Sequence, residues 1–159
     1  MRLQISTRLA IFAVLELTAR EGRQLSVAEI GEKYGVSSHH LAKVMHVMGR
    51  AGLVRAVRGA GGGYQFAGNA RRTTLLDLVQ MFEDLSSVEQ DADATDATPE
   101  GQALREVVSE VDDIARATLG SITVAAMRKL VDRHAISGGG RSKAVLSRRR
   151  NQSRLRQME

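Results

Sequence analysis

The chain has 159 residues, 43% hydrophobic and 26% charged, which fits one globular domain or a small domain with an appendage. It contains no cysteine, and this removes disulfides, thiolate nucleophiles, thiolate-held zinc and cysteine-ligated iron–sulfur clusters. The net charge of +5 is unevenly spread, with +7 over residues 1–72, −8 over 73–136 and +6 over 137–159, so the first part is marked for a polyanionic partner.

Aromatic residues are only 3% and there is one proline, Pro99, so a helical chain with an aliphatic core is expected rather than a β-sandwich. No apolar run approaches the ~18 residues of a membrane span. The N-terminal residues lack the layout of a secretion signal, and the chain is expected in the cytoplasm.

The first helix runs from Ser6 to Arg20, with a wide stripe that includes Leu9, Phe12, Val14 and Leu17. Gly22 suits the residue just past its end. Ser26 and Glu29 form a capping box that opens a helix of about two turns, closed by Gly35. Ser37 or Ser38 caps a third helix through about Ala51, with Leu41, Val44, Met45 and Met48 as its apolar stripe. The period then changes. Residues 53–58 read as a strand, 59–63 as a glycine-rich turn and 64–67 as the returning strand. Thr74 caps a helix from Leu75 to about Leu85. Small and acidic side chains over 86–100 read as a mobile loop. Pro99 starts a long helix to about Leu119, broken by Gly120 and Ser121, and a short helix follows from Thr123 to about Arg133. Gly138, Gly139 and Gly140 read as a hinge before a basic tail.

Helix, short helix, tight turn, helix and hairpin in succession make a winged helix–turn–helix. In such a motif the second helix of the pair enters the major groove with its N-terminal end. That end carries Ser37, Ser38, His39 and His40, with Lys43 one turn on and Arg50 at the far end. Hydroxyl, imidazole and ammonium groups can bond base edges or phosphates. The plainer reading is an ordinary polar helix face, and the basic hairpin behind it favours DNA. In that hairpin Arg55 and Arg58 precede a loop in which Gly61 and Gly62 let the backbone approach another surface. An arginine at the wing can enter a narrow minor groove. The loop lacks the Lys-Ser/Thr of a nucleotide-binding loop.

The long helix repeats Leu104, Val107, Val108, Val111, Ile114, Ala115 and Leu119 at steps of three and four residues. So long a stripe suits a helix pair between two subunits, although it could instead fold back on its own domain. His39 and His46 are two turns apart, and His40 and His134 complete the set, so no metal-binding spacing is present. Asp91, Asp93 and Asp96 are most simply a solvated acidic loop. The tail arginines, if not merely solvated, add salt-sensitive DNA affinity.

The segments LSVAEIGEKYGVSSHHLAKVM and GRAGLVRAVRGAGGGYQFAGNARRTTLLDLVQMFED resemble the Rrf-two family of bacterial transcription regulators, as does LREVVSEVDDIARATLGSITVAAMRKL over residues 104–130. The resemblance covers about residues 1–133. It implies a dimeric winged-helix protein on palindromic operators, with His39, Ala42 and Lys43 at the groove-reading positions and Arg58 as the minor-groove arginine of the wing. Ala42 and Lys43 stand where better-known members carry other polar side chains, so the sequence preference does not carry over. Many members hold an iron–sulfur cluster through three cysteines, which would fall here near Gln90, Asp96 and Gln102, with Arg8 at the position of a fourth ligand. The resemblance therefore places this chain in a cluster-free branch that senses by other means, a protein or metabolite effector among them.

The sequence reading is thus a mainly α protein: a winged helix–turn–helix DNA-binding domain over 1–72 with a β-hairpin wing, a helical dimerisation region over 73–136 containing the acidic loop 86–100, and a flexible basic tail over 137–159. The expected function is that of a homodimeric regulator, a repressor, of double-stranded operator DNA, with no cofactor, no metal and no membrane partner, and with the effector unidentified. The alternative is a protein–protein interaction module built on a winged helix. No nucleophile–base grouping argues for an enzyme.

Overall fold

The computed structural model describes residues 2–19, 22, 24–59, 61–85 and 97–137. The expected mobile acidic loop over 86–100 lies, for its part at 86–96 with the solvated Asp91, Asp93 and Asp96, outside these residues, as do the expected hinge at 138–140 and the basic tail beyond it. The chain divides into two compact units, Met1–Ala125 and Ala126–Glu159.

The first unit opens with α1 (Ile5–Ala19), which is apolar nearly all round and buries Leu9, Ala10, Ile11, Ala13, Val14, Leu15 and Leu17. Its start is capped at long range, because Glu83 Oε1 accepts from the Gln4 amide at 2.8 Å and from the fully buried Thr7 hydroxyl at 2.5 Å. Next comes α2 (Val27–Tyr34), with the Ser26–Glu29 capping box formed and Gly35 closing it at φ +64°. Phe12 of α1 stacks on Tyr34 with ring centroids 4.8 Å apart. The Tyr34 hydroxyl donates to Glu16 Oε1 at 2.7 Å, and Lys33 bonds the same carboxylate. Burial, then that bond and the nearby negative charge, pushes the Tyr34 hydroxyl above the ordinary tyrosine range, so it stays a neutral donor.

The turn into α3 (Ser38–Arg50) is tight. Val36 N donates to Gly31 O at 3.0 Å, and a Cβ on Gly31 would stand 2.8 Å from the Val36 carbonyl oxygen. An alanine in a helix ordinarily gains about 1 kcal/mol over glycine. Here the clash is with backbone, so Gly31→Ala is expected to destabilise the protein by about 1–3 kcal/mol, measured by urea unfolding. A rise in stability would mean that the turn is looser than described.

The wing pairs β1 (Val54–Val57) with β2 (Gly63–Phe66), antiparallel, with Arg55 opposite Gln65 and Val57 opposite Gly63. Gly63 is in the strand and not in the turn, since Leu25 bridges to Tyr64 and a Cβ on Gly63 would meet Leu25 O at 2.6 Å. Helix α4 (Leu75–Val79) has a Thr74–Asp77 capping box and is shorter than the expected run to Leu85. The amides of Phe82 and Glu83 both turn onto the Val79 carbonyl, and Glu83 is held at the start of α1. Helix α5 (Pro99–Ser121), capped by Thr98, passes through Gly120, which packs beside Leu76. It stops where Ile122 becomes extended, accepts from Leu75 N, and Thr123 bridges to Thr74. A last helix, α6, covers 124–137, four residues beyond the expected end and including Ser137, which the sequence reading gave to the tail. Its first residue, Val124, is buried. In the second unit Arg128 pairs with Asp132 one turn on, at 3.1 Å.

Candidate nucleic-acid interface

One face of α3 is core: Leu41, Val44, Met45 and Met48 are at most 2% exposed. The helical period then places His39, Lys43, His46 and Arg50 on the opposite side, and all four are exposed. Ser37 caps the helix, its hydroxyl accepting from His40 N at 3.1 Å, and Ser38 is its exposed first residue. Ala42 is half-buried at the edge of the stripe. His40 is placed differently from its neighbours. Its ring is half-buried against α1, with Nε2 3.3 Å from Ser6 Oγ, so it orients the start of α3 against the first helix.

In the wing, Arg58 is exposed beyond β1 and bonds to no other described residue. Arg55 is exposed but fastened: its Nε and Nη2 donate to Gln65 Oε1 at 3.2 and 2.9 Å, while Gln65 Nε2 donates to Gly22 O at 3.2 Å. The tip is held as well, by Gln24 Nε2 donating to Gly61 O at 2.6 Å. Gly61 needs its positive φ of 75°, and Gly62 has no room for a side chain, since a Cβ would be 2.6 Å from Val57 O. The bracing roles of Gln24, Gln65 and Ser6 escaped the sequence reading. Gln24 stands in a connecting segment, Gln65 in β2 and Ser6 in the first turn of α1, and no spacing rule marks such a lone polar residue as a brace.

From Lys33 to Leu76 the chain has seven lysines and arginines and no aspartate or glutamate; Lys33 pairs with Glu16, and Lys43, Arg50, Arg55 and Arg58 lie on α3 and the wing. Helix α3 contributes no acid to its own first turn, so the positive end of its dipole is uncompensated. Such a surface attracts a polyanion.

The profile of the Rrf2 family, described as iron-dependent transcriptional regulators, matches residues 3–129. The chain belongs to the Rrf2 family. Among its relatives, BadM of Rhodopseudomonas palustris, a protein assigned as an HTH-type transcriptional regulator, is 47% identical over 132 residues, 83% of this chain and 84% of BadM. CymR of Bacillus subtilis, the global cysteine regulator, superposes with a TM-score of 0.70 at 25% identity, covering 82% of this chain and 98% of CymR. IscR of T. potens gives a TM-score of 0.61 at 27% identity, covering 82% and 88%. This Rrf2 chain is therefore a transcriptional regulator with a winged-helix fold and not an enzyme.

The iron of the family description does not fit thiolate ligation here. The chain has no cysteine, and among the described residues no three His, Asp or Glu side chains gather as a metal site. No helix among the described residues is long and apolar enough to cross a membrane.

Proposed function

We propose that this Rrf2 regulator binds palindromic operator DNA in the cytoplasm as a homodimer and represses transcription, sensing its signal without a cysteine-held cluster. The observation that carries the reading is the exposed His39–Lys43–His46–Arg50 stripe on α3, directly followed in the chain by a braced, glycine-tipped wing whose Arg58 bonds to no other described residue. Lys43 and His39 reach base edges from the first turns of α3, Ser37 and Ser38 meet phosphate, and Arg58 enters the minor groove.

Helix α5 supplies the twofold. None of its residues is buried, and Leu104, Val107, Val108, Val111 and Ile114 stand exposed along it, with Ala115 and Leu119 half-buried. Large aliphatic side chains in register over about four turns seek a partner, and a second copy of α5 presents the matching stripe. At 23 residues the helix is about 35 Å long, near the ~34–36 Å between half-sites one DNA turn apart.

The test is a genomic footprint followed by binding measurements on the recovered fragment. Affinity is expected to fall by roughly 10³-fold or more between 50 and 200 mM salt. A flat salt response would turn the reading to a protein-docking module.

A further inference from the structure

Arg55 and Gln65 stand directly opposite each other in the hairpin, so their side chains share one face of the wing. The contact between them has a direction. Gln65 Nε2 donates to the Gly22 carbonyl, which can only accept, and this turns the amide so that Oε1 faces Arg55. That oxygen accepts from both Nε and Nη2, at 3.2 and 2.9 Å, and so holds one edge of the planar guanidinium. An arginine has five N–H donors. The other edge, made by Nη1 and the second Nη2 hydrogen, bonds to no described residue and belongs to an exposed side chain. Two N–H groups side by side in one plane match two oxygens of a phosphate.

The holder is uncharged, and this decides what the arrangement is for. A carboxylate at position 65 would fix the same edge and cancel the charge, whereas a glutamine fixes it and leaves the whole charge to an outside anion. The support behind the glutamine is itself held. Gly22 and Gln24 both lie in the connection between α1 and α2, and Gln24 Nε2 donates to Gly61 O at the wing tip. The wing is thus tied at two points to one connection, and less side-chain and loop freedom is left to lose on binding. We propose that Gln65 is a positioning residue that presents the open edge of Arg55 to a backbone phosphate of the bound duplex. Arg55 is then a sequence-independent anchor, unlike the groove-reading Lys43 and Arg58. The inference rests on the DNA-binding reading above.

The experiment measures binding of the full-length protein to its operator fragment and to a random-sequence duplex over a salt series. Arg55→Ala is expected to weaken both duplexes by the same factor, about 10- to 100-fold, and to flatten log K against log salt by about 2, for one phosphate in each protomer of a dimer. Arg55→Lys keeps the charge and the slope but lacks the fork, and should cost about 5- to 10-fold. Gln65→Met, of similar length with no polar grip, should also cost about 5- to 10-fold with little change of slope. In the Arg55→Ala or Arg55→Lys background the same Gln65→Met change should cost less than about twofold. Gln65→Glu keeps the grip and cancels the charge, so it should flatten the slope about as much as Arg55→Ala does. A glutamine that served only the fold of the wing would cost the same in every background. That result, parent-like binding by Arg55→Ala, parent-like binding by Gln65→Glu, or a loss confined to the operator overturns this inference and leaves a DNA-binding protein. Parent protein that binds neither duplex sinks the DNA-binding reading and this inference with it.

Discussion

Val107→Asp combined with Ile114→Asp is expected to leave a folded monomer with operator affinity lowered by about 100-fold or more. Both side chains are exposed in the protomer, at 58% and 61%, so their loss removes no core contact. They lie seven residues apart on one stripe of α5, and two copies of the helix would bury them. Burying such a side chain is worth about 1.5–3 kcal/mol, and the double variant loses this from each copy while placing four carboxylates in one apolar seam. Each half-site is then held by one reading head alone, without the gain from linked binding. Analytical ultracentrifugation reads the mass and gel shift reads the affinity, while circular dichroism should be unchanged. A double variant that remains dimeric would place the subunit contact elsewhere.

Lys43→Ala with Arg58→Ala is expected to lower operator affinity by roughly 100- to 1,000-fold without loss of stability. Both side chains are exposed and bond to no other described residue, so folding should change by less than about 0.5 kcal/mol. The single variants separate two kinds of contact. Lys43→Ala should relax preference at one position in each half-site, at about 1–3 kcal/mol. Arg58→Ala should weaken every site and weaken A·T-rich, narrow-groove sites most. Two contacts in each of two protomers carry a salt slope of about 0.9 each, so the double variant should flatten log K against log salt by about 3 to 4. Parent-like binding by both single variants would remove these residues from the interface.

Local signals were well written in the sequence. The Ser26–Glu29 box, Ser37, Thr74 and the glycines at 35 and 52 all act within three or four residues of themselves, and the helices and hairpin stand where those residues put them. The elements that shifted are governed by distant contacts. Helix α4 ends at Val79 because Glu83 is engaged 76 residues away at Thr7. Gly63 joins β2 because Leu25 passes beside it. His40 follows the pattern of a groove-facing residue and yet packs toward Ser6, because only the crossing of α1 and α3 decides which way it turns. Arg116 reads as one more charged residue on an amphipathic helix. Its bond to the Leu85 carbonyl depends on where residues 80–85 go, and periodicity carries nothing about that.

The acid-free tract from Lys33 to Leu76 has a cellular cost. A surface rich in cations holds any nucleic acid to some degree, and a genome offers ~10⁶–10⁹ decoy sites for each operator. On the DNA-binding reading proposed above, that reservoir would hold copies on irrelevant duplex or RNA. Promoter occupancy then depends on how strongly the true site outcompetes that reservoir, and a modest drop in preference empties the promoter while leaving the protein as tightly bound to chromosomal DNA as before.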